Sequence, residues 1–281
     1  MYRIIKKKVL NPATVMLEFD APLIARRALP GQFVILRVDE SGERVPFTIA
    51  DSDSRTGAVS VIFQIAGYST QKLAALSQGE SVLDLVGPLG RASELDGYDS
   101  AAVIGGGLGI AIAYPQARAL YERGAKTDVI VGFRTQELTI LREELSAVSS
   151  ELTIMTDDGS NGNKGFVTTA LERKLEAGEK YDVVVAIGPL PMMKAVCDLT
   201  RGYGIRTIVS MNSVMIDGTG MCGCCRVTVD GERKFACVDG PDFDGHLIDF
   251  EEAAYRARMF AEEERVSRET HVCNITGGVR S

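Results

Sequence analysis

From Met1 to about Gly97, apolar and polar residues alternate in short runs. YRIIKKKVL, TVMLEFD, GQFVILRV, VPFTIAD, GAVSVIFQIA and SVLDLVGP are rich in β-branched and other apolar residues, and turn residues separate them. A two-residue period marks half-buried strands, and six at this spacing predict a small antiparallel barrel. One helical run, STQKLAAL (69–76), precedes the last strand.

From about Tyr98 the rhythm changes. SAAVIGGG, TDVIVGF, ELTIMTDD, YDVVVAIGP and IRTIVSM read as buried strands. IAIAYPQARALYERG, LTILREELSAV, TTALERKLEAG and PMMKAVCDLTRGYG read as the helices between them. Strands and helices that alternate in this way predict a doubly wound parallel sheet. Residues 211–250 are cysteine-rich, EEAAYRARMFAEEERV (251–266) reads as a charged surface helix, and the tail NITGGVRS is expected to fray. The predicted units are a β-barrel over 1–97, an α/β domain over 98–210, a cysteine module over 211–250 and a terminal helix and tail over 251–281.

The chain has 281 residues, 45% apolar and 25% charged, which allows two globular domains and a small module. A net charge of −7 argues against nucleic acid or anionic lipid as a partner. Trp is absent and aromatics make up 6%, so no base-stacking platform is expected. The longest apolar run, AAVIGGGLGIAIAY (101–114), falls short of the roughly 20 residues a membrane helix needs. MYRIIKKKVL has no apolar signal region behind its charges. These features predict a cytoplasmic protein with reduced thiols, where clustered cysteines point to a metal rather than to disulfides.

VIGGGLGIA (103–111) joins the first parallel strand to its helix. Gly105, Gly106, Gly107 and Gly109 there would let a diphosphate approach the helix N-terminus, where N–H groups and the helix dipole favour anions. The run departs from the strict G-x-G-x-x-G pattern. Two further turns fall on the same carboxyl edge of the sheet: Gly188 and Pro189 in IGP, and Asp157 and Asp158 in TDDGSNGNKG. Two carboxylates near an adenosine ribose would accept from its hydroxyls and repel a 2′-phosphate. They favour NADH over NADPH, while Arg134 favours the phosphate.

DGTGMCGCCRVTVDGERKFACVDG (217–240) holds four of the six cysteines. Asp217-x4-Cys222-x2-Cys225-x11-Cys237 matches the plant-type [2Fe–2S] spacing C-x4-C-x2-C…C, with aspartate in the first position. Asp217, Cys222, Cys225 and Cys237 are therefore the candidate ligands, with Cys224 pointing away. Cys197 and Cys273 read as bystanders. Three thiolates and one oxygen could instead hold structural zinc, although only one C-x2-C half is present. His246 and Asp244 read either as outer support for the metal or as a capped turn.

PGQF (30–33), RVPFTIAD (44–51), GYSTQKLAAL (67–76) and VGPLG (86–90), in that order before an α/β unit, resemble the ferredoxin–NADP reductase superfamily. The resemblance implies FAD on the R-x-Y-S-type strand, with Phe47 and Thr48 at the ring, Pro46 and Ile49 beside them and Arg44 at the pyrophosphate. Gly67, Ser69 and Thr70 would meet the phosphates. Arg44 stands one residue out of the usual spacing, which turns a side chain to the other face unless a bulge compensates. DGTGMCG, KFACVDGP and FDGH resemble, more narrowly, the small subunits of NADH-dependent reduced ferredoxin:NADP+ oxidoreductase, also described as sulfide dehydrogenase, and the likeness runs along essentially the whole chain. In that family one aspartate and three cysteines hold a [2Fe–2S] cluster. The related electron-transfer subunits of dihydroorotate dehydrogenase use four cysteines, and Asp217 separates the two.

The resemblance implies a relay in which NADH gives two electrons to FAD and the [2Fe–2S] centre takes them singly. It also implies a large partner subunit with its own FAD, [4Fe–4S] clusters and NADP(H) site, with ferredoxin served through the complex. The alternatives are an electron-transfer subunit for dihydroorotate oxidation and a zinc-stabilised nucleotide-binding module.

Overall fold

The structure is a computed structural model, and it describes residues 1–270; Cys273 and the tail 274–281 lie outside the described residues. The first unit runs β1 (Tyr2–Asn11), β2 (Thr14–Asp20), α1 (Pro22–Ala25), β3 (Phe33–Arg37), β4 (Val45–Asp53), β5 (Ala58–Gln64), α2 (Tyr68–Ala75), β6 (Ser81–Val82) and β7 (Asp84–Leu89). The strand order is β6-β1-β2-β5-β4-β3-β7. The last expected strand, SVLDLVGP, is two strands that divide at Leu83. Tyr2 pairs with Val82 and Leu36 with Leu85, so this one segment joins the first strand to the third and curls the sheet into a barrel. The Leu83 N–H, shared between the carbonyls of Arg37 and Val38 at 3.0 Å each, marks the corner. Leu17, Phe19, Val34, Leu36 and Phe63 fill the interior.

α2 closes one end of the barrel through buried Leu73. Thr70 Oγ1 accepts from the N–H groups of Ala66 and Gly67 at its start. Lys7 of β1 donates to the carbonyls of Ala74 and Leu76 at its end, at 2.6 and 2.7 Å. The helix is thus fixed at both termini, where its own backbone leaves groups unpaired.

The second unit runs β8 (Ser100–Gly106), α3 (Gly109–Glu122), β9 (Lys126–Phe133), α4 (Arg142–Ala147), β10 (Glu151–Thr156), α5 (Val167–Glu176), β11 (Val183–Ile187), α6 (Leu190–Gly202) and β12 (Arg206–Ser210). The parallel order β10-β9-β8-β11-β12 reverses direction at β8, so the crevice between β8 and β11 is the topological switch point. α3 and α4 cover one face, α5 and α6 the other. Cover on both faces explains why Val129–Val131 and Val183–Ile187 are unbroken apolar runs. The helix expected over 138–148 is shorter than its pattern. Gln136–Leu138 form a 3-10 turn, Leu141 is left-handed at φ 56°, and α4 begins only at Arg142. Burial of Ile140 and Leu141 against the α3 face overrides the local periodicity.

The cysteine module contains β13 (Arg226–Val229), β14 (Glu232–Phe235) and β15 (Asp242–Asp244), followed by α7 (Phe250–Arg256) and α8 (Ala261–Thr270). β15 adds antiparallel to β12 and so stitches the module to the edge of the parallel sheet. The single helix expected over 251–266 is interrupted at 257–260, where Met259 and Phe260 line a groove with Val214 and Cys224. No helix among the described residues is long and apolar enough to cross a membrane.

One carboxylate ties the three parts together. Asp242 Oδ2 on β15 accepts from Ser93 Oγ, beyond the barrel, at 2.5 Å and from Gln116 Nε2 on α3 at 2.8 Å. Gln116 is fully buried. Asp242 as a residue is partly exposed, but its carboxyl group is enclosed, and burial pushes its pKa up to about 6 against hydrogen bonds that lower it. Asp242 Oδ1 and Gln116 Oε1 are buried acceptors without donors. A proton on Asp242, or an amide in its place, would supply one.

Because the folded pKa lies above the unfolded value of 3.8, Asp242 contributes stability that is complete below about pH 4 and is lost as pH rises through about 6. Asp242→Asn should therefore stabilise the protein at pH 7.5 by about 1–3 kcal/mol. The difference in Tm from wild type should narrow as pH falls below 6; a variant that is less stable at every pH would contradict this account.

Candidate functional site

The carboxyl edge of the parallel sheet opens into a cleft of about 770 Å³. Gly106, Gly107, Gly109, Arg134, Asp157, Gly188 and Pro189 line it, so three loops distant in sequence meet in one place. Close backbone approach explains the glycine at 109: a Cβ there would lie 2.2 Å from the Ile187 carbonyl oxygen. α3 and the turn after β11 could not then lie side by side. Two expected residues are placed elsewhere. Gly105 is covered by Ile110, and Asp158 turns its carboxylate to the N–H and hydroxyl of Ser160 at 2.9 and 2.7 Å, bonds that hold its pKa down. Of the two aspartates, Asp157 lines the cleft, and Arg134, of opposite charge, lies on the same lining.

The rest of the lining was not legible in the sequence. Phe166 and Thr168 come from the start of α5, and Met192 from α6. Asn11, Thr14 and Gln64 come from the barrel, which closes on the cleft through an Asn11 Nδ2 bond to the Leu138 carbonyl at 3.1 Å. The only local signal was Phe166, a large apolar residue just after Gly165, and it is exposed.

The residues expected at the flavin fall on two faces of β4. Phe47 turns to Phe63, with ring centroids 5.5 Å apart, and lines a narrow groove with Ser69 at the first turn of α2. Pro46 and Thr48 lie on the opposite face, paired across the ladder with Ile35 and Phe33. Ile49 is buried, and its N–H bonds the Gln32 carbonyl. Arg44 is exposed ahead of the strand and does not line the groove. Gly67 has open space beside it, and Thr70 caps the helix. A strand face at the mouth of a dinucleotide cleft, flanked by a capped helix N-terminus, suits FAD.

The cluster loop packs on that same face. A Cβ at Gly218 would lie 2.9 Å from Ile35 Cγ1 and 3.0 Å from Leu89 Cδ1, and its φ of +75° belongs to glycine. The loop thus touches the residue paired with Pro46. Within it, Asp217 accepts from the N–H of Thr219 at 2.7 Å and of Cys222 at 2.9 Å, bonds that lower its pKa. The β13–β14 hairpin turns at Asp230–Gly231, with both φ positive as a two-residue primed turn requires. Its register brings Cys225 and Cys237 together at 3.2 Å between sulfurs, both buried.

Burial pushes the Cys237 thiol up to about 12, whereas backbone N–H groups of Cys224 and Asp217 lower that of exposed Cys222. Cys224 is half-buried, and its carbonyl accepts from Arg256. Among the described residues no three such side chains converge on a single metal-ion position. The donors are arranged as two pairs instead: two buried thiols, and a carboxylate tied to the backbone of an exposed thiol. Sulfur and oxygen donors in two pairs suit a two-iron cluster, whose ligands divide between its irons.

His246 and Asp244 form a turn: the Asp244 carboxylate accepts from the His246 N–H, and His246 Nε2 lies 2.9 Å from the Ile205 carbonyl. Cys197 is buried under Gly245, and burial raises its pKa to about 12.

Gly109→Ala should lower stability by about 2 kcal/mol or more and abolish NADH binding. Gly202→Ala, where nothing lies within 4 Å of the added atom, should change neither. Thermal unfolding with NADH titration of both variants checks the pair.

Residues 212–249 match the iron–sulfur cluster binding domain of dihydroorotate dehydrogenase B, and residues 103–198 match the oxidoreductase NAD-binding domain. The chain is 42% identical over 266 residues to a dihydroorotate dehydrogenase B (NAD(+)) electron transfer subunit homolog of Thermotoga maritima, covering 95% of this chain and 94% of that one. It is 32% identical to the electron transfer subunit of Geobacillus thermodenitrificans, covering 85% and 94%. A solved structure of NADH-dependent reduced ferredoxin-NADP oxidoreductase, described for flavin-based electron bifurcation, superposes with a TM-score of 0.89 at 40% identity, over 95% of this chain and 96% of that one. The ferredoxin reductase of carbazole 1,9a-dioxygenase, at 20% identity and a TM-score of 0.59 over 73% and 65%, shares the fold. The chain belongs to the family of flavin- and iron–sulfur-dependent electron-transfer subunits represented by dihydroorotate dehydrogenase B and NADH-dependent reduced ferredoxin-NADP oxidoreductase.

Proposed function

We propose that this chain is the NAD(H)-linked FAD and [2Fe–2S] subunit of a flavin-based, electron-bifurcating NADH-dependent reduced ferredoxin:NADP+ oxidoreductase. The observation that carries the proposal is the seat of Gly218 on Ile35, one residue across the ladder from Pro46. It puts the cluster loop beside the flavin strand, at the edge where the dinucleotide cleft opens. When bound, FAD exchanges a hydride with NAD(H) and single electrons with the cluster.

The chain's own residues do the positioning. Gly106, Gly107 and Gly109 admit the coenzyme diphosphate to the start of α3. Asp157 accepts from the adenosine ribose and repels a 2′-phosphate, and Asp158 holds the turn that presents it. Pro46 and Thr48 support the flavin ring from one face of β4, with Phe47, Gly67, Ser69 and Thr70 around the α2 groove and Ile49 holding the strand to the barrel core. Asp217 and Cys222, with Cys225 and Cys237, hold the two irons. The working units are 1–97 for FAD, 98–210 for NAD(H), 211–250 for the cluster and 251–281 as a terminal extension. The enzyme works in the cytoplasm, where its thiolates stay reduced.

A bound cluster would supply single-electron transfer to a larger subunit with a second FAD, [4Fe–4S] clusters and the NADP(H) site, through which ferredoxin would be served. Met221, 89% exposed beside Cys222, and Val214, Ile216 and Val238 form the apolar rim on which that subunit sits. Service to a dihydroorotate dehydrogenase is the second reading, favoured by the iron–sulfur domain match. Asp217 in the first ligand position favours the first reading.

Anaerobic purification with the native partners, followed by visible and EPR spectra before and after NADH, tests the proposal. Flavin bands, a rhombic [2Fe–2S] signal and faster bleaching by NADH than by NADPH are expected. Iron-free protein, reduction by NADPH alone or copurification with a TIM-barrel FMN protein would overturn it. Asp217→Ala should lose the EPR signal and keep the flavin. Met221→Glu should weaken association with the large subunit about tenfold, measured by analytical ultracentrifugation, and leave reduction of the flavin by NADH unchanged.

A further inference from the structure

Residues 38–44, between β3 and β4, fold down onto the first turns of α2. Two side-chain links hold them there. Ser69 Oγ donates to Glu43 Oε2 at 2.7 Å. The Lys72 ammonium pairs with the Asp39 carboxylate and donates to Ser41 Oγ at 3.3 Å, and its stem is enclosed, with 17% of the side chain exposed. Each partner responds to the other: the Asp39 bond raises the Lys72 pKa, and the Lys72 bond lowers that of Asp39. The space left between strap and helix is only about 10 Å³, lined by Gly42, Glu43, Phe47, Ser69 and Lys72 among others. Arg44, expected to be the phosphate cation, is exposed and not among the residues that line this space.

We propose that Lys72 is the cation of the flavin diphosphate subsite and that the 38–44 strap covers it with Glu43 and Asp39 as internal carboxylate substitutes, so that FAD binds by displacing the strap. The proposal rests on the flavin assignment to α2. The physical reason is that the donors are already engaged. On this face of α2, Ser69 and Lys72 are held by carboxylates, and the Lys72 ammonium also lies 5.7 Å from the Tyr68 ring. A diphosphate cannot share them with Glu43, because like charges at contact distance repel and no water layer fits between them. The helix cannot yield, since Lys7 and Thr70 fix its ends. The strap can: its links to α2 are side-chain contacts at partly exposed groups. Once it lifts, Lys72 exchanges a carboxylate partner for a phosphate one at no net loss of charge pairing, and the flavin replaces Glu43 on Ser69.

The test uses the full chain, stripped of flavin and titrated with FAD or with riboflavin, which lacks the phosphates, by flavin fluorescence. Lys72→Met should weaken FAD binding about tenfold or more and leave riboflavin binding unchanged, and Lys72→Arg should restore most of the loss. Glu43→Gln should tighten FAD binding several-fold and speed association. Three outcomes would overturn the proposal: equal loss of FAD and riboflavin in Lys72→Met, a larger loss in Arg44→Gln than in Lys72→Met, or FAD binding in Glu43→Gln that is unchanged or weaker. In those cases a loss of FAD affinity in Ser69→Ala would leave the flavin assignment standing. If Ser69→Ala, Lys72→Met and Glu43→Gln all bind FAD like wild type, the α2 assignment itself fails.

Discussion

The buried carboxylate of Asp242 is the point at which three separately built units become one molecule. Its partners are Ser93 beyond the barrel and Gln116 of the coenzyme helix, and it sits on the strand that follows the cluster module. Around it runs a shared apolar core, in which Phe33 and Ile35 of the barrel, Val184 and Val209 of the sheet and Val227 and Cys237 of the module are buried together. With it, β15 lies in register on β12, the backbone of Arg91 reaches the Gly240 carbonyl at 2.7 Å, and the cluster loop is held against β3. Electron transfer between centres depends on that rigidity, because the separation between flavin and cluster is set by protein packing. The arrangement has a cost, a charge held in a place that favours its neutral form.

The second organising constraint is backbone proximity. The cleft exists because the turns after β8 and β11 pass within van der Waals distance of each other, which glycine at 109 allows. The cluster loop lies on the flavin strand because Gly218 has no side chain to hold it away. Side chains at the edges of this frame are more open: Asp157 lines the cleft, and Met221 beside the cluster loop is 89% exposed. A buried frame that carries exposed determinants lets one scaffold serve different partners, as the family's two named enzymes illustrate.

Much of the architecture was legible along the chain. Two-residue alternation marked the barrel strands, and unbroken apolar runs marked strands covered on both faces. The cysteine spacing marked the segment that matches an iron–sulfur cluster binding domain, because such spacing is a local property of the backbone. Where the reading diverged, long-range packing was the cause. Leu83 makes a corner because its neighbours pair with opposite ends of the sheet. LTILREELSAV loses its first turn because Ile140 and Leu141 are buried against the α3 face. Arg44 lies just ahead of β4, exposed and outside the lining of the α2 groove.

The sequence by itself determined the elements, their order and the chemical kinds of donor, since periodicity, turn residues and ligand spacing act over a few residues. Only the tertiary structure decided which of those donors meet. It separated Asp157, which faces the cleft, from Asp158, which holds a turn. It brought Asn11 and Gln64 of the barrel to a cleft in another unit, and it set Lys72 but not Arg44 in the lining of the groove beside α2. These outcomes depend on contacts between residues tens to hundreds of positions apart, and such contacts form only when the buried surfaces of all three units are packed together.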